Sequence, residues 1–161
     1  MLSEKLQAAL NDHLNAEYYS WYLYLAMAGH CEAEGFLGMA HWLCKQSDEE
    51  LEHAKKFYRY ILERGGRVEL KPIAAPPKEW SSPLALFEAV EQHEKSITQR
   101  IWNLVDLSGS EKDPATRVFL HWFVEEQVEE EAQVAVIVQR LRMVGDSKHG
   151  LLLIDRELGS R

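Results

Sequence analysis

The chain is short of the residues that define several common protein classes. It has only two cysteines among 161 residues, Cys31 and Cys44, and they lack Cys-x-x-Cys spacing. Two such residues cannot build a four-cysteine metal module, and they are typical of reduced thiols in a cytosolic protein. Lys and Arg number 18 against 26 Asp and Glu, which gives a net charge of −8. This charge disfavours a phosphate-binding or nucleic-acid surface and favours attraction of cations.

Long apolar runs are also absent. No stretch approaches the roughly 20 apolar residues of a membrane span, and the N-terminus MLSEKLQ enters amphipathic sequence without a signal peptide. We therefore expect a cytoplasmic protein that binds neither membrane nor nucleic acid. Only nine glycines and five prolines occur, and most fall in a few clusters, so the segments between them are long. The length predicts a single domain over residues 1–161.

The long segments carry the 3.6-residue periodicity of amphipathic helices. Ser3, Ser82 and Asp113 occupy N-cap positions, and a proline follows each of the last two. Gly65 and Gly145 occupy positions just past a helix end. A short turn is expected at residues 109–110. The pattern predicts four long helices and one short C-terminal helix, over residues 4–33, 36–64, 83–108, 114–144 and 147–158.

The connections predict how these helices are arranged. The breaks near residue 35 and residue 110 are short, so helix one is antiparallel to helix two, and helix three to helix four. The segment 65–81 contains three prolines and can extend by roughly 55 Å, which is enough to cross the bundle lengthwise. We therefore predict an all-α four-helix bundle with a long crossover between helices two and three and a short fifth helix.

An acid interrupts the apolar stripe of each long helix near its middle. The four acids are Glu17, Glu50, Glu94 and Glu130. Packing around one core would bring them to one level, where burying an unpaired carboxylate costs several kcal/mol. Bound cations would neutralise them. The competing interpretation is a hydrogen-bonded polar layer, or helices rotated so that the acids face water, as in a plain helical scaffold.

His53 lies one helical turn after Glu50, on the same face. Oxygen donors with a single imidazole favour iron or manganese over a structural zinc ion. The set predicts a two-metal site in which Glu50 bridges the ions. Glu17 and His53 would complete one position, and Glu94 and Glu130 the other.

The segments that carry these residues resemble the non-haem bacterial and archaeal ferritins over essentially the whole chain. They are NAEYYSWYLYL, EELEH, EWSSPLALFEAVEQHE, FLHWFVEEQVEEE and LLLIDREL. Other di-iron bundles typically repeat Glu-x-x-His on a second helix. This chain has Gln127-x-x-Glu130 there, which fits the non-haem ferritins rather than bacterioferritin or rubrerythrin. Leu51 stands where a bacterioferritin would offer a haem-ligating methionine, so haem is not expected.

The resemblance also assigns roles to individual residues. It implies a ferroxidase centre of Glu17, Glu50, His53, Glu94 and Glu130. Gln127 would be a distal oxygen ligand or a hydrogen-bonding neighbour, and Tyr24 a nearby electron donor or a core tyrosine bonded to a glutamate. His13 is expected to be a hydrogen-bonded core histidine rather than a ligand. A third iron site, or else an ordinary acidic helix face, would contain Glu49, Glu126 and Glu129.

The function implied by the resemblance is iron storage and detoxification. Fe²⁺ would be oxidised by dioxygen or peroxide, and Fe³⁺ would be stored as mineral inside a hollow shell, usually of 24 subunits. The alternatives are a non-storage di-iron oxidoreductase of peroxidase or rubrerythrin type, and a mini-ferritin that coats DNA. The candidates for subunit contacts, or for the edge of the core, are Trp21, Tyr22, Trp42, Trp80, Trp102 and Phe119.

Overall fold

Five helices and no strands make up the secondary structure. A computed structural model describes residues 1–161. The helices α1 to α5 span Glu4–Ala33, Leu37–Glu63, Pro83–Ser110, Pro114–Val144 and Lys148–Leu158. None of them combines the length and the apolar character of a membrane-crossing helix. The predicted all-α architecture, with four long helices and a short fifth one, is confirmed.

The helix ends are capped by the residues that the sequence indicates. Ser3, Ser82 and Asp113 each accept a hydrogen bond from the backbone N–H three residues later. Gly65 and Gly145 follow α2 and α4 with φ of 71° and 53°, which side chains with a Cβ rarely adopt. These caps satisfy backbone groups that the helices leave unpaired.

The turn between α3 and α4 falls later than predicted. Residues 109 and 110 complete α3 instead of forming the turn. The turn is closed by the Asp113 N–H, which donates to the Ser108 carbonyl at 2.9 Å, with Lys112 at a φ of 54°. This is the Schellman arrangement, in which a lysine takes the position that glycine usually fills, so no glycine marks this helix end.

The apolar core is divided into two clusters, one toward each end of the bundle. One cluster includes Met27, Met39, Phe87, Val138, Leu141 and Ile154. The other includes Leu10, Phe57, Ile61, Ile101 and Leu120. The C-terminal half of α1 therefore packs with the N-terminal halves of α2 and α3 and the C-terminal half of α4. This makes α1 antiparallel to α2, α3 antiparallel to α4, and α2 parallel to α3, as the predicted crossover requires.

The crossover follows α1 along the bundle. Asn11 donates to the Arg67 carbonyl at 2.9 Å and accepts from the Glu69 N–H at 2.8 Å. Toward the other end, the Trp80 ring packs edge-on against His30 with centroids 5.3 Å apart. Because Asn11 and His30 lie toward opposite ends of α1, the crossover covers most of its length.

Helix α5 packs against the start of α2. A Cβ on Gly38 would lie 1.7 Å from the Asp155 carbonyl oxygen, so only glycine permits this approach. Phe36 gives α2 no side-chain cap. The Asp155 carboxylate supplies one from α5, because it accepts from the Met39 N–H at 2.8 Å. The short C-terminal helix therefore packs on its own bundle.

Trp42 lies in the core and is not available for a subunit contact. It is 4% exposed, its ring meets Phe87 edge-on with centroids 5.6 Å apart, and the Arg161 guanidinium lies 4.7 Å from its centre. The residues after α5 cover this face of α2. Tyr22 and Trp102, by contrast, are 40% and 52% exposed.

Candidate metal centre

The layer between the two apolar clusters contains four carboxylates and one imidazole. Each acid comes from the middle of a different long helix, because each apolar stripe carries its acid into the core. Glu17, Glu50 and Glu94 are 1% exposed, and Glu130 and His53 are 4% exposed. The structure thus brings all five predicted residues to one buried level.

Glu50 is common to two candidate ligand groups. The ligand atoms of Glu17, Glu50 and His53 lie within 4.8 Å of one another, and so do those of Glu50, Glu94 and Glu130. In the first group, His53 Nδ1 lies 3.2 Å from Glu50 and 4.0 Å from Glu17. A carboxylate that belongs to both groups is what a bridged two-metal site requires.

Burial makes three of the acids hold their protons more tightly. Desolvation is the main cause that raises the pKa of Glu50, Glu94 and Glu130. The neighbouring Glu130 and Glu94 charges raise the pKa of Glu50 further, to well above its ordinary value. Cations that replace these protons would be attracted by several carboxylates in a medium of low polarity.

Glu17 behaves differently from the other three acids. Burial, the largest single cause, acts to raise its pKa, but His13, with smaller contributions from His53 and Glu50, outweighs burial, and the pKa of Glu17 is lowered. His13 Nε2 lies 2.6 Å from Glu17 Oε1. Glu17 is thus the acid of the layer that ionises most readily, and His13 is the hydrogen-bonded core histidine that the sequence indicates.

Several oxygens of the layer have no hydrogen-bond partner. They are Glu17 Oε2 and both carboxylate oxygens of Glu130. Buried polar atoms without a partner are uncommon in proteins. Hard oxygen donors that face a shared space beside an imidazole fit the coordination preferences of iron and manganese, so the residues present suit the metals that the sequence predicts.

The imidazole of His53 is suited to bind a metal ion. Burial is the main cause that lowers the pKa of His53, which favours the neutral form that coordinates metals. Trp122 and Phe123 pack edge-on against the ring, with centroids 5.4 and 5.8 Å away. Trp122 therefore packs directly against a candidate ligand, although it remains 37% exposed.

Tyr24 and Gln127 both contact Glu94. The Tyr24 hydroxyl donates to Glu94 Oε1, which is the bond to a glutamate expected of a core tyrosine. Gln127 Nε2 donates to Glu94 Oε2 at 3.1 Å and to Thr98 Oγ1 at 3.1 Å. Of the two roles predicted for Gln127, these contacts favour that of a hydrogen-bonding neighbour.

The residues predicted for a third site lie in three different environments. Glu126 is half-buried, and its ligand atom lies within 4.8 Å of those of His53 and Glu130. Glu49 is exposed and pairs with Arg161 at 2.7 Å. Glu129 is exposed and belongs to none of the candidate groups. The structure therefore places only Glu126 beside the buried centre.

An open cleft of about 300 Å³ leads from the surface to His53. Its lining residues are Asp48, Glu49, Glu52, His53, Lys56, Trp122 and Glu126. The Lys56 ammonium lies 3.0 Å from the centre of the Trp122 ring. Asp48, Glu52 and Lys56 were not among the predicted residues, although their spacing of four residues places them on one face of α2 next to His53.

Comparison with known proteins identifies the family. The model of the ferritin-like domain matches residues 7–144. A bacterial non-heme ferritin of Bacteroides fragilis (strain 638R) is 46% identical over 161 residues, with 100% of both chains covered. A bacterial non-heme ferritin of Staphylococcus aureus (strain MRSA252) is 40% identical, and the match covers 100% of this chain and 97% of that protein. The open pore ferritin of the hyperthermophilic archaeon Archaeoglobus fulgidus matches with a TM-score of 0.99 and 50% identity, over 100% of this chain and 99% of its own. The chain therefore belongs to the ferritin family.

Proposed function

We propose that this protein stores iron and that it oxidises Fe²⁺ at a pair of positions joined by Glu50. The observation that carries the proposal is the membership of Glu50 in both buried ligand groups. Family membership, and relatives described as bacterial non-heme ferritins, support iron over manganese and a centre without haem. Glu17 and His53 would bind one Fe²⁺, and Glu94 and Glu130 the other.

The paired arrangement suits a two-electron oxidation. Two Fe²⁺ ions become two Fe³⁺ ions, and their electrons with two protons convert dioxygen to hydrogen peroxide or hydrogen peroxide to two waters. The anionic oxygen ligands stabilise the higher charge of Fe³⁺, so the ligand set favours the oxidised ions. Hydrolysis of Fe³⁺ outside the centre would then give the stored oxyhydroxide.

Tyr24 and Gln127 would act mainly through Glu94. Their hydrogen bonds reach its two different oxygens and would hold the carboxylate in one orientation while iron enters. Burial, with the Glu94 charge, raises the pKa of Tyr24 well above its usual value. The phenol therefore stays protonated, and we propose that it also serves as an electron donor to the site.

The cleft beside His53 would admit Fe²⁺ to the centre. Four of its seven lining residues are acids, and an acidic surface raises the local concentration of cations. Glu126 would bind a third iron together with His53 and Glu130. Glu49 would join it after leaving Arg161, and Glu129 would belong to the same site, as the resemblance implies.

Storage requires a container, which one bundle does not enclose. We propose a hollow shell of about 24 copies with closed symmetry. Large apolar side chains on the surface support subunit contacts, among them Tyr22, Leu25, Trp102, Val118, Leu152 and Leu153. The two free cysteines support a reducing compartment such as the cytoplasm.

Aerobic addition of Fe²⁺ to the purified protein, followed by size-exclusion chromatography with iron detection, tests the proposal. Storage predicts a particle of hundreds of kDa that carries iron in large excess over its 18.6 kDa chains. A small oligomer with at most two or three irons per chain would identify a non-storage di-iron oxidoreductase instead. A protein that neither oxidises nor binds iron would contradict both functions and leave a helical scaffold.

A further inference from the structure

We propose that His13 is a positioning residue for the iron site: its Nε2–H holds Glu17 Oε1, so that Oε2 faces the position shared with Glu50 and His53. The inference rests on the proposed function and adds a residue to it. His13 belongs to none of the candidate ligand groups, and its role would be exerted entirely through Glu17.

The two oxygens of Glu17 have different surroundings. Oε1 lies 2.6 Å from His13 Nε2 in a pair whose side chains are 1–2% exposed. Oε2 has no hydrogen-bond partner and lies 4.0 Å from His53 Nδ1. Because Oε1 is held by a hydrogen bond and Oε2 is free, the Glu17 carboxylate is oriented to bind one metal ion through Oε2.

The imidazole of His13 is itself held in place. It lies one helical turn before Glu17 on the same buried face of α1, and its ring packs on Phe57 with centroids 4.5 Å apart. Its Nδ1 has no hydrogen-bond partner, so Glu17 is its one polar contact. An imidazole that bonds a carboxylate donates through the bonding nitrogen, which here is Nε2.

The two halves of the centre are therefore supported by different residues. Glu17 depends on His13, whereas Glu94 is held by Tyr24 and Gln127. Removing a residue that orients a metal ligand typically weakens metal binding by about 10–100-fold. Loss of the His13 bond should thus weaken the position that contains Glu17 and His53 and spare the one that contains Glu94 and Glu130.

Anaerobic Co²⁺ titration of the assembled, iron-free protein tests the inference by calorimetry and by the visible absorption of bound Co²⁺. His13→Leu removes the donor, His13→Gln keeps a donor of similar reach, and His13→Asn keeps an amide too short to reach Glu17. We expect one of two Co²⁺ positions to weaken about tenfold in His13→Leu and His13→Asn, and both to stay within about threefold of the unmodified protein in His13→Gln. His93→Leu is the matched control, because it removes a half-buried imidazole bonded to Ser20.

Each outcome decides between the alternatives. Unchanged Co²⁺ binding in folded His13→Leu or His13→Asn overturns the positioning role and leaves the paired site intact. If His13→Leu does not fold, His13→Asn gives the same comparison. Equal weakening in His13→Gln shows that the imidazole itself is needed, which also overturns the hydrogen-bond role. If the unmodified protein binds no Co²⁺ pair, the proposed function fails first and this inference fails with it.

Discussion

The hydroxyl of Tyr24 on α1 donates a hydrogen bond to Oε1 of Glu94 on α3, across the buried layer. Tyr24 is fully buried, and its ring belongs to the apolar cluster on one side of that layer. The Tyr24 side chain thus both packs in the core and orients Glu94, a candidate iron ligand.

Tyr24→Phe should keep the fold and impair the site. The ring still fills its place, while the lost bond to a buried carboxyl group costs roughly 1–3 kcal/mol, or about 2–12 °C in the unfolding midpoint of a chain of this size. We expect stopped-flow Fe²⁺ oxidation to slow several-fold. Freeze-quench electron paramagnetic resonance should show a tyrosyl radical in the unmodified protein but not in the variant.

The half-buried Tyr18 supplies the control for this experiment, since it packs against the other apolar cluster. Tyr18→Phe should leave both the oxidation rate and the radical unchanged. A radical of equal yield in Tyr24→Phe would exclude Tyr24 as the electron donor.

Glu50→Gln should lose function and gain stability. The variant cannot bridge two ions with an anionic carboxylate, so rapid Fe²⁺ oxidation should disappear. It also removes the buried acid whose pKa is raised by burial and by the neighbouring acids. The free energy of unfolding of the iron-free variant should therefore rise by about 0.5–2 kcal/mol at neutral pH, and its unfolding midpoint should rise with it.

Glu63→Gln, on the exposed surface of the same helix, is the matched control and should change neither quantity. Normal oxidation rates in Glu50→Gln would refute Glu50 as the shared ligand. An unchanged rate with a raised unfolding midpoint would place the oxidation of Fe²⁺ outside the buried layer.

The three buried acids with raised pKa values should reduce the stability of the iron-free protein as pH rises above 4.5. The folded-state pKa of Glu50, Glu94 and Glu130 is raised by burial, so the folded chain binds more protons than the unfolded chain above the ordinary pKa of 4.5. Each such group stabilises the fold fully below pH 4.5, and this stabilisation is lost as pH rises through its folded pKa. The slope is at most about 1.4 kcal/mol per pH unit for each proton released.

The test window is set by the histidines. The pKa of His53 is lowered, and that of His93 is lowered to about 4, chiefly by burial; these shifts reduce stability only as pH falls below about 6.5. The pKa values of Cys31 and Cys44 are raised from 9.0, chiefly by burial, and reduce stability only as pH approaches that value. Unfolding midpoints between about pH 7 and 8 therefore report mainly on the acids. Loading with Co²⁺ should reduce the loss of stability with rising pH, because metal ions replace the protons on the buried acids. Rising stability of the metal-free protein over this range would contradict the raised pKa values.

The four-helix arrangement could be predicted because its signals are local in sequence. The apolar stripes predict which face of each helix is buried, and the interruptions at Glu17, Glu50, Glu94 and Glu130 fall at the same height once the helices are antiparallel. The length of segment 65–81 and its prolines predicted a connection that crosses the bundle lengthwise.

The features that escaped prediction depend on contacts between distant segments. Asp155 caps α2 from α5, and Trp42 is buried because residues after α5 cover it. The bond between His13 and Glu17 is local, but its partner atoms depend on how Phe57 fixes the imidazole. Periodicity predicts which face of its helix a residue occupies, but it does not predict which residues of other helices that side chain contacts.

Asp113 should be important for stability but not for iron. Its carboxylate caps α4 through the Thr116 N–H at 3.0 Å and accepts two hydrogen bonds from Arg64 at 3.0 and 2.8 Å. Asp113→Ala loses both interactions, which should cost about 2 kcal/mol in thermal unfolding. Asp113→Asn keeps a capping side chain and should lose less, whereas Asp106→Ala, on an exposed site of α3, should have little effect. Equal losses in Asp113→Ala and Asp113→Asn would assign the stabilisation to the charge alone.

Gly38→Ala should detach α5 from the bundle. The added methyl carbon would lie 1.7 Å from the backbone oxygen of Asp155, and a backbone atom within α5 cannot turn aside as a flexible side chain can. Movement of α5 would also break the bond between Asp155 and the Met39 N–H. The amides of α5 and of the first turn of α2 should therefore exchange hydrogen faster, while those near Glu50 stay protected.

Gly29→Ala is the matched control, because a Cβ there meets nothing within 4 Å. If α5 takes part in subunit contacts, as its exposed Leu152 and Leu153 suggest, Gly38→Ala should also elute as a smaller particle than Gly29→Ala. An intact particle with normal protection of α5 would show that the bundle accommodates the methyl group. An intact particle with an unprotected α5 would show that assembly depends on the four long helices alone.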